Sequence, residues 1–201
     1  MELREAIETR RSIRRFGPRP VRPRLVEEIC RAGLRAPAPH HTRPWRFVIV
    51  EPGGSRERLA EEMGQAWRND LQGDGVPAAK ITALLGRSRT QIVTAPALVL
   101  CGLVAEGLRD WPDPRRRVAE WSMAGHSMGA ALQNIMLVAH DAGLASYWIS
   151  APLFAADAVR SALDLSDDFV AQALVAVGYP HPSYQPRARP QESDADFVVH
   201  R

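Results

Sequence analysis

The chain has 201 residues, 45% of them hydrophobic and 24% charged, a composition that fits a single globular domain over 1–201 with a real core. The formal charge is +3, and because Lys80 is the only lysine, 25 of the 26 basic residues are arginine; with many Ala and Pro, that bias fits GC-rich coding. No zinc-finger spacing, RNA-binding signature, charged-to-apolar signal peptide or bilayer-length apolar run accompanies it, so the expectation is a soluble cytoplasmic protein with neither nucleic acid nor membrane as partner.

The first apolar stripe is Leu3, Ala6 and Ile7, with Arg10 on the same helical face, and that helix ends near Arg11-Ser12. Pro23 suits a first helical turn, and Leu25, Val26, Ile29, Cys30 and Leu34 make a second stripe, stopped by Ala36-Pro37-Ala38-Pro39. Trp45 to Val50 alternates and reads as a strand. Ser55 is an expected N-cap for a helix carrying Leu59, Met63 and Trp67, with Trp67 placed in the core. Residues 71–77, rich in glycine, read as a lid over the site, followed by a helix through Ile81, Leu84 and Leu85.

Ala97 to Leu103 is a continuous apolar run that suits a buried strand. The pattern from Arg115 to Ala142 is the longest helix and is apolar on more than one side, which predicts burial all round, within one chain or against a second subunit. Gly143 ends it, Ser146 to Ser150 reads as a strand, Ala155 to Leu163 as a short helix and Ala171 to Tyr179 as a last core strand. Helices outnumber strands, giving α+β or α/β by count, and no Gly-x-Gly-x-x-Gly follows a strand. Cys30 and Cys101 lie in apolar contexts without a Cys-x-x-Cys spacing, which reads as two buried free thiols and no metal site.

Two arginine clusters flank these elements. Arg10, Arg11, Arg14 and Arg15 surround Ser12, and Arg187 and Arg189 follow the last strand. Guanidinium forks bind phosphate bidentately, so the clusters read either as one converging phosphate grip or as two patches of solvated surface.

The order of motifs resembles the FMN-dependent nitroreductase family across essentially the whole chain. Arg10-Arg11-Ser12-Ile13-Arg14-Arg15-Phe16 is similar to its opening signature, and Ala36-Pro37-Ala38-Pro39-His40-His41-Thr42-Arg43-Pro44-Trp45 to its Ala-Pro-Ser…Asn-x-Gln-Pro-Trp segment. Gly129 to Asn134 with Gly143-Leu144 resembles its central dimer helix, and Gly178-Tyr179-Pro180 with Arg187 and Arg189 its closing strand and phosphate clamp. Pro37 to Pro44, Trp67 to Leu71 and Trp148 to Asp157 also resemble the reductase half of the two-domain enzyme that finishes the deazaflavin coenzyme F420. His41 and Arg43 stand where Asn and Gln are usual.

The resemblance implies an α+β nitroreductase-like fold, a mostly antiparallel sheet surrounded by helices, and a homodimer with a long buried interface helix. It implies FMN as cofactor, held by Arg10, Arg11, Ser12, Arg14, Pro37, Ala38, Pro39, Ser150, Arg187 and Arg189. Small-molecule substrate falls to His40, His41, Arg43, Asn69 and Asp70. The two histidines read equally as loop-closing residues that bond backbone carbonyls. The narrower resemblance implies a stand-alone reductase of a dehydro-F420 precursor, with a separate protein adding glutamate. The alternatives are a general NAD(P)H-dependent nitroreductase or quinone reductase, and a non-catalytic flavin- or F420-binding protein.

Overall fold

The computed structural model describes residues 1–186; Arg187, Arg189 and the apolar triplet at 197–199 lie outside the described residues. Its helices are α1 (Leu3–Thr9), α2 (Pro23–Gly33), α3 (Gly54–Gly73), α4 (Ala78–Val93), α5 (Pro114–Asp141) and α6 (Ala156–Ala162). Its strands are β1 (Trp45–Ile49), β2 (Ala97–Leu103), β3 (Ala145–Ile149) and β4 (Val170–Gly178). The expected order of helices and strands is the observed one. Two 3-10 turns, Pro39–His41 and Ala151–Phe154, add to it.

The strands form one sheet in the order β1-β2-β4-β3, antiparallel at every pairing. Every residue of β2 is buried, because both faces of the sheet are covered. Val99, Cys101 and Leu103 point to the layer of α2 and α5, while Leu98 and Leu100 point to that of α3, α4 and α6. Gly102 sits at a register shift, where an added Cβ would come within 2.2 Å of the Phe169 ring. Both cysteines are free and buried, and burial pushes the Cys30 thiol up to about 12 and the Cys101 thiol well above its ordinary value.

Four expectations need correction. Gly53, not Ser55, caps α3, its φ of 100° being open to glycine but not to a serine cap. Trp67 is 37% exposed rather than core, since α3 and α4 form a hairpin standing away from the sheet. The segment at 71–77 is not all loop: α3 continues to Gly73 and the turn is confined to 74–77, with Gly75 at φ 70°. Within one chain α5 is not buried all round: Val118 is 66% exposed and Met123 and Val138 39% each, which leaves burial against a second subunit as the form of that expectation still open. Within one chain the sheet and α2 cover only part of its circumference.

Arg56 fixes the base of the α3–α4 hairpin. It is buried, and its guanidinium donates to the Val50 carbonyl where the chain leaves β1 (2.8 Å) and to the Ala95 carbonyl where it returns to β2. Burial lowers its pKa, the neighbouring Glu51 opposing that shift. Arg56→Ala leaves two buried carbonyls without a donor and should cost about 3 kcal/mol of stability, read as a lower urea midpoint at unchanged slope.

Candidate functional site

The arginine segment lies along the free edge of β3. Ser12 bridges Ser146 in parallel, and the Ile13 amide donates to the Ser146 carbonyl at 3.1 Å. Two further bonds hold the segment's far end: the Gly17 amide to the Tyr179 carbonyl at 2.8 Å, and the His181 amide to the Arg15 carbonyl at 3.1 Å. The chain leaving β4 toward 187–189 therefore passes beside Arg15. Phe16 anchors this junction, stacking on Tyr147 with ring centroids 5.9 Å apart and filling the space over Gly178, where a Cβ would meet it at 2.8 Å.

Side chains follow from that path. The Arg14 guanidinium sits over the Tyr147 ring, 5.4 Å from its centroid. Arg11 donates to the Glu8 and Arg10 carbonyls through one terminal nitrogen, while its buried Nε has no acceptor among the described residues. His140, in the last turn of α5, pairs with the Thr9 hydroxyl at 2.8 Å. Burial, then the charges of Arg10 and Arg11, push His140 below its ordinary 6.5. The end of α1, the end of α5 and the β3 edge thus share one cationic corner.

Ser150 lies just beyond β3, exposed, at the start of the Ala151–Phe154 turn. Beside it, a cavity of about 680 Å³ separates the α3–α4 hairpin from that turn. Ile149, Ala151 and Phe154 form one wall, and Trp67, Asp70 and Arg87 stand on the other. Asp70 therefore joins the β3 side of the site. Asn69 does not line this cavity; its side-chain oxygen accepts from Gln65 at 2.9 Å on the outer surface of α3.

The remaining predicted residues gather elsewhere. Pro37, Ala38 and Pro39 line a recess of about 300 Å³ against Met123, His126 and Ser127 of α5. His41 and Arg43 line a neighbouring one of about 370 Å³. His40 and His41 both hold a positive φ, 53° and 57°, an unusual conformation for residues with a side chain and a costly one. The loop-closing reading of His40 is changed in its partner: its Nε2 lies 3.1 Å from the Glu120 carboxylate rather than on a backbone carbonyl. His126 and His140 are fourteen residues apart on α5, about 21 Å along its axis. A single chain thus holds the 37–43 loop against the first half of α5 and the arginine corner at its last turn.

Glu120 went unnoticed in the sequence, although it falls one turn before Ala124 on the same apolar stripe. An acid in register with a core stripe was the available signal. Among the described residues no group of His, Cys, Asp and Glu could hold a metal ion, and no helix is long and apolar enough to cross a membrane.

The arrangement of sheet and helices matches a known architecture. The nitroreductase family profile matches residues 7–179, and the chain belongs to that family. It is 27% identical over 183 residues to a protein of Archaeoglobus fulgidus assigned provisionally as an NADH dehydrogenase/NAD(P)H nitroreductase, covering 89% of this chain and 86% of that one. Among solved structures, a BluB-like flavoprotein from Clostridium difficile 630 superposes with a TM-score of 0.81 at 21% identity, covering 100% of this chain and 99% of the other. A mutant of the FMN and NADPH-dependent nitroreductase NfnB from Sphigopyxis sp. strain HMH superposes with a TM-score of 0.72 at 23% identity, covering 100% and 98%.

The His140 environment gives a direct test of the cationic corner. A histidine with a depressed folded-state pKa contributes stability above its unfolded value of about 6.5, and that contribution is lost as pH falls through the folded value. His140→Asn should flatten stability against pH in that window. Inorganic phosphate should raise the His140 pKa, read by NMR titration, because a bound anion offsets Arg10 and Arg11. An unmoved midpoint places the anion elsewhere.

Proposed function

We propose that this chain is an FMN-dependent oxidoreductase that uses NAD(P)H to reduce electron-poor small molecules such as quinones and nitroaromatics, working as a homodimer. The observation that carries the reading is the arginine segment pinned along the β3 edge, with the buried Arg11 Nε lacking an acceptor among the described residues. An anionic group at this corner would supply one, which fits the phosphate of FMN. Family membership and the names of the relatives support the same activity.

Bound FMN supplies the hydride chemistry; the protein binds, orients and tunes it. Arg10, Arg11 and Ser12 would hold the phosphate, joined by Arg187 and Arg189. Arg14 would face the edge of the ring that gains negative charge on reduction, and its stacking on Tyr147 keeps that cation fixed rather than mobile. Ser150 would border the ring. Asp70 and the aromatic walls of the 680 Å³ cavity offer space on the scale of a flat organic ligand, and Asn69 stays outside it.

The second half of the site would come from a partner copy. The uncovered surface of α5 supports a two-fold pairing of antiparallel helices. Such a pairing carries the 37–43 loop of one copy toward the arginine corner of the other. Pro37, Ala38 and Pro39 would then wall the cofactor, and His40, His41 and Arg43 would reach substrate.

The narrower reading is a stand-alone reductase of a dehydro-F420 precursor, working beside a separate glutamate ligase. It rests on the motif resemblance alone, and the relatives' names back the general activity instead. The two separate by experiment: NAD(P)H oxidation driven by menadione or nitrofurazone supports the general reductase, whereas tight F420 binding without that turnover supports the narrower one. Arg14→Ala should lower the flavin midpoint potential by about 30 mV, equivalent to about 1.4 kcal/mol for a two-electron couple. An unchanged potential with FMN fully bound would remove Arg14 from this role, and a colourless protein that ignores added FMN would end the proposal.

A further inference from the structure

Glu120 is a carboxylate only 2% exposed, set among the apolar residues of α5. Burying an ion is costly unless its lone pairs are filled. Three donors fill them: the Trp111 indole N–H at 2.9 Å, the Arg109 amide at 3.1 Å, and His40 Nε2 at 3.1 Å. The Trp111 bond, followed by the Arg109 amide and His40, holds the carboxyl below its ordinary value against the opposing effect of burial.

These donors come from two loops distant in sequence. Arg109 and Trp111 belong to the segment between β2 and α5, His40 to the turn between α2 and β1. The loops also touch directly: a Cβ at Gly107 would fall 2.9 Å from the Thr42 methyl. Trp111 is itself immobilised, with Arg116 4.7 Å from its ring centroid on one side and Arg109 at 5.9 Å. A carboxylate only accepts, so His40 Nε2 carries the proton, and Nδ1 is the nitrogen left for other partners.

The His40-His41 turn has two consecutive left-handed residues, a run that costs free energy for any residue with a side chain. Among the described residues, its one polar side-chain tie outside the turn's own bonds is the His40–Glu120 pair. We propose that Glu120 is a positioning residue: by clamping Trp111 and His40 together, it holds the 37–43 loop in the strained shape in which it meets the cofactor and substrate of the partner copy. This rests on the composite site described above, and it adds a residue that contacts neither ligand.

The test compares the full-length wild type with Glu120→Gln, His40→Ala and the double variant. Glutamine keeps the volume but turns an amide toward groups that are themselves donors. In protein freed of flavin, Glu120→Gln should speed hydrogen exchange over residues 38–45 at least about tenfold, with peptides of β2 and β4 unchanged. With FMN as probe, Glu120→Gln and His40→Ala should each raise its dissociation constant about tenfold, and the double variant should be no weaker than the worse single.

Effects that multiply in the double variant, or a lower melting temperature with FMN affinity unchanged, would overturn the proposal by making Glu120 a stabilising residue only. Should Glu120→Gln fail to fold, Trp111→Phe keeps an aromatic ring but removes the indole N–H together with the second ring, and carries the same comparison. A wild type that takes up no FMN contradicts the function proposed above, while the exchange measurement still decides whether the clamp exists.

Discussion

A sheet covered on both faces has only its edges and strand ends left for chemistry. β2 and β4 occupy the centre, and their side chains are apolar apart from Gln172 and the inert thiol of Cys101. The free edge of β3 is where a polar segment can add to the sheet without burying unpaired groups. Ser12 to Gly17 takes that place, with its backbone satisfied at Ser146, Tyr179 and His181. Once the backbone is fixed this way, alternate side chains are delivered on opposite sides, which is how a short arginine-rich run becomes an organised array rather than a flexible tail.

The same placement concentrates positive charge. Burial first, and then Arg10 and Arg11, depress a histidine that belongs to another element, so the arginines' field extends past their own segment. Like charges gathered at one corner repel one another and favour any anionic complex formed there. The depressed His140 is the internal sign of this tension. It limits repulsion at neutral pH by staying uncharged, and in acid it would join the cationic group.

Periodicity carried most of the fold. The alternation of Trp45 to Val50 and the unbroken apolar run of Ala97 to Leu103 marked strands that the sheet contains almost to the residue. Capping and burial were less legible. Ser55 satisfies the preference for an N-cap, yet Gly53 takes the position because the turn before α3 needs a positive φ. Trp67 continues a stripe with Leu59 and Met63, but the hairpin projects from the sheet, so the same stripe passes from core to cavity wall along its length. The arginine corner was legible because its members are neighbours in sequence. The Glu120 clamp was not: Glu120, Trp111 and His40 become partners only through the meeting of two loops, a fact of tertiary structure that no local pattern encodes.

The length of α5 ties these features together. At 28 residues it is about 42 Å long, longer than the sheet is wide at strand spacing, so its ends serve two different regions of the molecule. Near its start it carries Glu120 and the 37–43 loop; at its end it carries His140 and the arginine corner. Val118, Met123 and Val138 stand exposed at different points around it, apolar groups that a lone chain leaves in water. An antiparallel copy packed along it would cover part of this surface and bring the two copies' helix ends together in one step. Burial of the helix surface and assembly of the site would then share a single driving force, and a change that weakens the pairing would reach cofactor binding without touching any residue of the corner.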